Sequence, residues 1–209
     1  MLFLNKKKPL PWLFSLAIVA SLVQGFSQGA AYADSCVDPS VEAMQAYNYL
    51  NQFRAEPQSY GNKLGVRLSG RPAPSLRWNQ PLATIARRVA ERMAKGNYLS
   101  HYDPEGLGAN QRIIRAGYAL PADYAEDPTA NSLESLAAGA PTGIEAINQL
   151  IADEGVSPPA HRVHLLAMDP FYLEHSEVGI GVACATQSTY KYYYVVLTAP
   201  KELPQSRVH

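Results

Sequence analysis

The chain has 209 residues, with 18 Lys plus Arg balanced by 18 Asp plus Glu, and is 47% apolar and 17% charged. This suits one globular domain that buries roughly two thirds of its unfolded surface. It excludes the cationic footprint expected of a protein that binds nucleic acid or anionic lipid.

Residues 1–33 carry Lys6, Lys7 and Lys8, then the apolar run Pro11 to Val23, then Ala31-Tyr32-Ala33 ahead of Asp34. That order predicts a secretory signal peptide with a small-x-small cleavage site. The competing reading, an uncleaved anchor, needs ~20 apolar residues, and the run is shorter. Loss of 1–33 removes three lysines and no acid, taking the neutral chain to −3. The expected address is secreted, extracellular or periplasmic. The expected organisation is a leader over 1–33, one domain over 34–200 and a tail over 201–209. Outside the cytoplasm Cys36 and Cys184 could form one bridge; the alternative is two unpaired thiols.

Asp38-Pro39-Ser40 predicts a helix start, and Val41, Met44, Tyr47 and Arg54 continue it to Glu56, before Pro57. Gln58 to Ser75 is rich in Gly, Pro and Ser and reads as a long connection. Asn79 and Pro81 open a second helix whose stripe is Leu82, Ile85, Ala86, Val89, Ala90 and Met93. On its other side Arg87, Arg88, Glu91 and Arg92 read as a solvated face. A short helix from about Leu107 to Ala116 ends at Gly117, and 121–131 reads as loop.

Thr142 and Glu145 form a capping box that announces a helix to about Asp153. After Pro158 and Pro159 a new helical turn begins near His161. Glu177 to Ala185 alternates, with Val178, Ile180, Val182 and Cys184 on one side and small residues, including Gly179 and Gly181, on the other. Tyr190 to Ala199 is apolar on both faces, which marks a central, doubly covered strand. The architecture these imply is α/β: a three-layer α/β/α sandwich around a small antiparallel sheet.

Of five histidines, His101 lies in a turn with Asp103 and Gly106, and His161 follows Asp153 and Glu154. Imidazole with carboxylate suits either a divalent cation such as zinc or general acid–base work. Each histidine taken singly also suits a hydrogen-bonded structural role. His164 and His175 lack such company and are expected at the surface or rim; the tail residue His209 is discounted.

Several stretches together resemble the CAP superfamily: LNQFRAEPQSYG, LRWNQPLATIARRVAERMAKGNYLSH, QRIIRAGY, NSLESLAAG and DEGVSPPAHRVHLLAMDPFYLEHSEVGIGVA. That superfamily comprises the cysteine-rich secretory proteins, antigen 5 and the pathogenesis-related proteins, with many exported bacterial members. The resemblance spans about Val41 to Ala199. It implies the α/β/α sandwich, the CAP fold, with a cavity of two histidines and two acids that binds zinc or another divalent cation in some members. By motif position the implied metal set is His101, Glu134, Glu154 and His161, with Asp153 as the alternative to Glu154. Leu133 and Ser135 stand where the Gly-Glu-Asn signature has glycine and asparagine, and Ala160 where the Gly-His-Arg signature has glycine.

The function this points to is a secreted binding or interaction domain whose cavity holds a divalent ion. No serine sits in a nucleophile elbow, and both cysteines have structural uses. One alternative is a metal-assisted peptidase with Glu134 or Glu154 as general base. Another is a lipid or sterol carrier resting on Tyr98, Tyr102, Tyr118 and Tyr192 to Tyr194. The expected partner is an extracellular protein, lipid or cell-envelope component, with no nucleic acid, no retained membrane anchor, and a monomeric state.

Overall fold

The computed structural model describes residues 35–68 and 71–203; the expected leader and the tail from 204 onward lie outside the described residues. Helix α1 is Pro39–Ala55, started by Asp38, whose carboxylate accepts from the Ser40 N–H. Helix α2, Pro57–Leu64, occupies part of the expected long connection. The proline that ends α1 serves as the first residue of α2, and Gly65 at φ 74 closes it. Tyr60 packs its ring 5.5 Å from both Tyr49 and Phe53 of α1, and that tertiary contact overrides the weak local propensity.

Strand β1 (Arg77–Trp78) leads into α3 (Gln80–Gly96), capped by Asn79 accepting from the Leu82 N–H. The apolar stripe of α3 is buried as its spacing requires, and Arg87 and Glu91 pair on the exposed side. Helix α4 (Ala109–Arg115), a 3-10 turn (Ala122–Ala125) and strand β2 (Glu134–Ala138) follow. Helix α5 (Gly143–Ala152) carries the expected cap: the Thr142 hydroxyl accepts from the Glu145 N–H. Buried Glu42 of α1 accepts from the Gly143 N–H at 2.6 Å, so α1 also stabilises the start of α5. Short helices α6 (Ala160–Leu165) and α7 (Pro170–Leu173) precede β3 (Glu177–Cys184) and β4 (Tyr192–Ala199).

The strand order is β1-β3-β4-β2. Strands β2 and β3 run antiparallel to β4, but β1 runs parallel to β3, pairing Arg77 with Glu177 and Trp78 with Val178. The sheet is therefore mixed, not purely antiparallel. A two-residue strand shows no alternation from which its direction could be read.

Helices cover both faces. Val178, Ile180, Val182, Tyr194 and Val196 face α1 and α5, while Tyr193, Val195 and Leu197 face α3. The small side of β3 lets α3 come close: a Cβ on Gly181 would lie 2.1 Å from the Ala86 carbonyl carbon, and one on Gly179 2.1 Å from the Ala83 nitrogen. Cys36 and Cys184 are disulfide-bonded, joining the segment before α1 to the end of β3. Leu203 N–H donates to the Ala119 carbonyl, so the start of the expected tail, 201–203, is tied down. Among the described residues no helix is long and apolar enough to cross a membrane.

Candidate functional site

Strand β2 lies at the edge of the sheet, and its consecutive residues Glu134 and Ser135 point to opposite faces. On the α3 side, Glu134 meets His101, which lies on the chain between α3 and α4. On the other side, α6 brings His161 and His164. The two helical layers thus meet beside this edge, with the His101 and His161 rings 6.2 Å apart between centroids. A cavity of about 80 Å³ is lined there by His101, Asn131, Ser132, Glu134, Ser135, Ala160, His161, His164 and Tyr172. Larger depressions elsewhere, of about 480 and 530 Å³, gather no histidine.

Each of the two rings is oriented by a buried carboxylate. His101 Nδ1 lies 3.0 Å from Glu134 Oε1, and His161 Nδ1 lies 2.7 Å from Asp153 Oδ1; the rings are 34% and 24% exposed over carboxylates that are 1% exposed. A carboxylate only accepts, so each Nδ1 carries the proton and Nε2 of the neutral ring keeps its lone pair. The Asn131 amide nitrogen also approaches His101 Nδ1 at 2.9 Å. Donation from Nδ1 to the charged carboxylate is the stronger bond and takes the proton.

Glu134 is held by Arg112, whose Nη2 donates to both carboxylate oxygens at 2.8 Å and to the His101 carbonyl at 3.1 Å. The Asn131 side chain accepts from the Glu134 N–H and donates to its carbonyl. Both Glu134 oxygens are therefore engaged within the protein.

Asp153, not Glu154, is the acid beside His161. Asp153 ends α5 in the left-handed region, at φ 51, which turns its carboxylate back onto the next helix. There Oδ2 accepts from the backbone N–H groups of His161 and Arg162 at 2.9 and 3.2 Å. In return the Arg162 guanidinium donates to the Ile151 and Ala152 carbonyls at the end of α5. Glu154 is exposed and lines the 530 Å³ depression with Leu64, Pro141 and Glu145. Arg54 of α1 fixes the other end of α6 by donating to the Leu165 carbonyl at 2.7 Å.

Of the expected metal set, His101, Glu134 and His161 share the cavity and Glu154 does not. Because the carboxylates bind protein donors, the atoms left for an ion are the two Nε2 nitrogens. Among the described residues no group of three or more His, Cys, Asp or Glu side chains is arranged to hold a metal. The four expected residues are therefore not assembled as four ligands.

His164 and His175 are not rim groups but are buried, 5% and 2% exposed. His164 lies between the hydroxyls of Ser135 (2.8 Å to Nδ1) and Thr198 (2.6 Å to Nε2). His175 lies between Thr198 (2.7 Å to Nδ1) and Tyr124 (3.0 Å to Nε2). Burial holds the His164 pKa well below its ordinary value, with nearby His175 adding to the effect; burial and then Arg54 bring His175 down to about 4. The signal that could have located them, hydroxyls at 135 and 198, is too common to read from spacing. The tyrosines named for a carrier are mostly core: Tyr118, Tyr192, Tyr193 and Tyr194 are buried, Tyr98 is half-buried and Tyr102 exposed.

The family model described as "CAP: Cysteine-rich secretory protein family" matches residues 47–198. Among solved structures, an extracellular protein containing an SCP domain from Bacillus anthracis is similar at 20% identity and a TM-score of 0.48, over 80% of this chain and 45% of that one. The chain thus spans less than half of that protein. An outer surface protein from Borrelia burgdorferi is similar at 18% identity and 0.48, over 81% of this chain and 99% of that one. The CAP domain of enterococcal PrgA is similar at 18% and 0.46, over 81% and 66%. No curated protein matches the sequence at a significant level.

Proposed function

The chain belongs to the cysteine-rich secretory protein (CAP) family, and from that premise we propose that it is an exported binding domain whose paired histidines hold a divalent cation, zinc foremost. The observation that carries this reading is the ring pair. Two accessible imidazoles lie 6.2 Å apart, each with Nδ1 directed at a buried carboxylate and Nε2 left over. This is how proteins prepare histidine for a metal: the outer carboxylate fixes the tautomer and raises the basicity of the ligating nitrogen. Imidazole suits zinc and its neighbours.

Two protein ligands make a weak site with coordination positions to spare, so the ion, once bound, would supply a Lewis-acid anchor for an oxygen donor from outside. In this reading His101 and His161 ligate, Glu134 and Asp153 orient them, and Arg112 holds Glu134 in place. Export is supported by the leader-like residues 1–33 and by the Cys36–Cys184 disulfide. The ligand proposed is a protein, lipid or envelope component outside the cytoplasm.

Calorimetric zinc titration tests the site. His101→Ala and His161→Ala should each weaken binding by more than about tenfold, and Asp153→Asn by about 10–100-fold. Equal affinity in all four proteins removes the site.

A further inference from the structure

Ser135, His164, Thr198, His175 and Tyr124 form one unbranched run of buried side-chain hydrogen bonds, from the floor of the cavity to the 3-10 turn. Neither ring touches a carboxylate, both are buried, and each has a hydroxyl on both nitrogens. If Thr198 accepted from both rings, its own proton would have no acceptor among the described residues at a 1% exposed position; with Thr198 passing its proton along, two arrangements remain, one the reverse of the other.

The ends decide between them. If Ser135 donates into the chain, every bond reverses and the Tyr124 O–H is left without an acceptor among the described residues, at a buried position. A buried, unsatisfied donor is costly. If Tyr124 donates to His175 Nε2, then His175 Nδ1–H donates to Thr198, Thr198 donates to His164 Nε2, and His164 Nδ1–H donates to Ser135. Every nitrogen is satisfied, and the single proton left over is that of the Ser135 hydroxyl. Ser135 is 1% exposed and has no other partner among the described residues, but it lines the cavity, where a ligand or water can accept its proton, whereas Tyr124 does not line it.

We infer that Ser135 is the cleft's hydrogen-bond donor, kept so by this relay, and that it recognises an oxygen of a carboxylate or similar oxyanion that shares the cation with the two imidazoles. The inference rests on the reading of the ring pair as a cation site. The two imidazoles offer lone pairs only, which suit the cation; the hydroxyl offers a proton, which suits the anion. Thr198 and Tyr124 act as positioning residues, since they set the direction of Ser135 without touching the ligand.

The test has two arms. In ¹⁵N-histidine-labelled protein at pH 7, long-range proton–nitrogen NMR should show His164 and His175 both neutral and both protonated at Nδ1. A proton on Nε2 of either ring, or a charged ring, overturns the inference whether or not zinc binds. In zinc-loaded protein, acetate is the probe. Ser135→Ala and Thr198→Val should weaken acetate about tenfold while zinc affinity holds, and Thr198→Ser should restore it. Acetate affinity unchanged in Ser135→Ala overturns the inference and leaves the cation site standing. Absence of zinc binding in the wild type sinks the cation site, and with it the shared oxyanion.

Discussion

Acid should destabilise this protein in a way that can be assigned to one side chain. His175 stays neutral in the folded state down to about pH 4, because burial and then Arg54 oppose its charge, whereas in the unfolded chain it protonates near 6.5. Its folded pKa is the lower of the two, so below 6.5 unfolding takes up a proton. Stability is then complete above pH 6.5, falls as the pH drops, and levels off near 4. The displacement from 6.5 to about 4 corresponds to about 3 kcal/mol lost across the window, or about 1.4 kcal/mol per pH unit near pH 5. His164, shifted in the same direction, adds a second slope of the same sign. Urea unfolding followed by circular dichroism between pH 7 and 4, on the wild type and His175→Gln, reads this contribution: His101 and His161 are common to both, and loss of the His175 share of the His164 shift moves the slope in the same direction. The variant's stability should fall less steeply by about 1.4 kcal/mol per pH unit near pH 5. Parallel curves would show that His175 is not held neutral, and the account of its burial would be wrong.

Two further perturbations probe the frame around the site. Gly181→Ala drives a Cβ to 2.1 Å from backbone atoms of Ala86 and Arg87 that cannot rotate away, so α3 must shift; about 3 kcal/mol and a melting point about 6–12 °C lower are expected by calorimetry. Gly65→Ala, with nothing within 4 Å but φ at 74, should cost about 1 kcal/mol, and an equal loss in both variants would refute the close approach. Replacing Cys36 and Cys184 together by serine opens a closure of 148 residues, worth on the order of 5 kcal/mol in the loop-entropy model, read as a lower urea midpoint. An unchanged midpoint would mean the bridge contributes nothing to stability.

Much of the frame is legible in the amino-acid order, because one-dimensional pattern and burial coincide there. The alternation of Val178 to Cys184 separates the two faces of β3, the stripe of α3 marks its buried side, and the Thr142 box marks the start of α5. Strand β2 is missed because Glu134 to Ala138 is buried almost throughout and so carries no period. Helix α2 is missed because the Pro and Gly that bound it look like a loop.

At the site, the motif positions of His101, Glu134 and His161 suffice to bring them together. The choice between Asp153 and Glu154 is different in kind. It turns on one residue entering the left-handed region, which reverses where the next side chain points and leaves no trace in spacing. The burial of His164 and His175 depends on partners 29 and 23 residues away, and so on tertiary structure alone.

The glycine face of β3 governs more than packing. Because His101 follows directly from α3 while His161 rides on the opposite layer, the gap between their rings is gauged by how deeply α3 seats on the sheet. Gly179 and Gly181 set that depth from within the interior, without touching either imidazole. Drift at these two spacers would change the separation of the two imidazoles from a distance, through the backbone of the sheet.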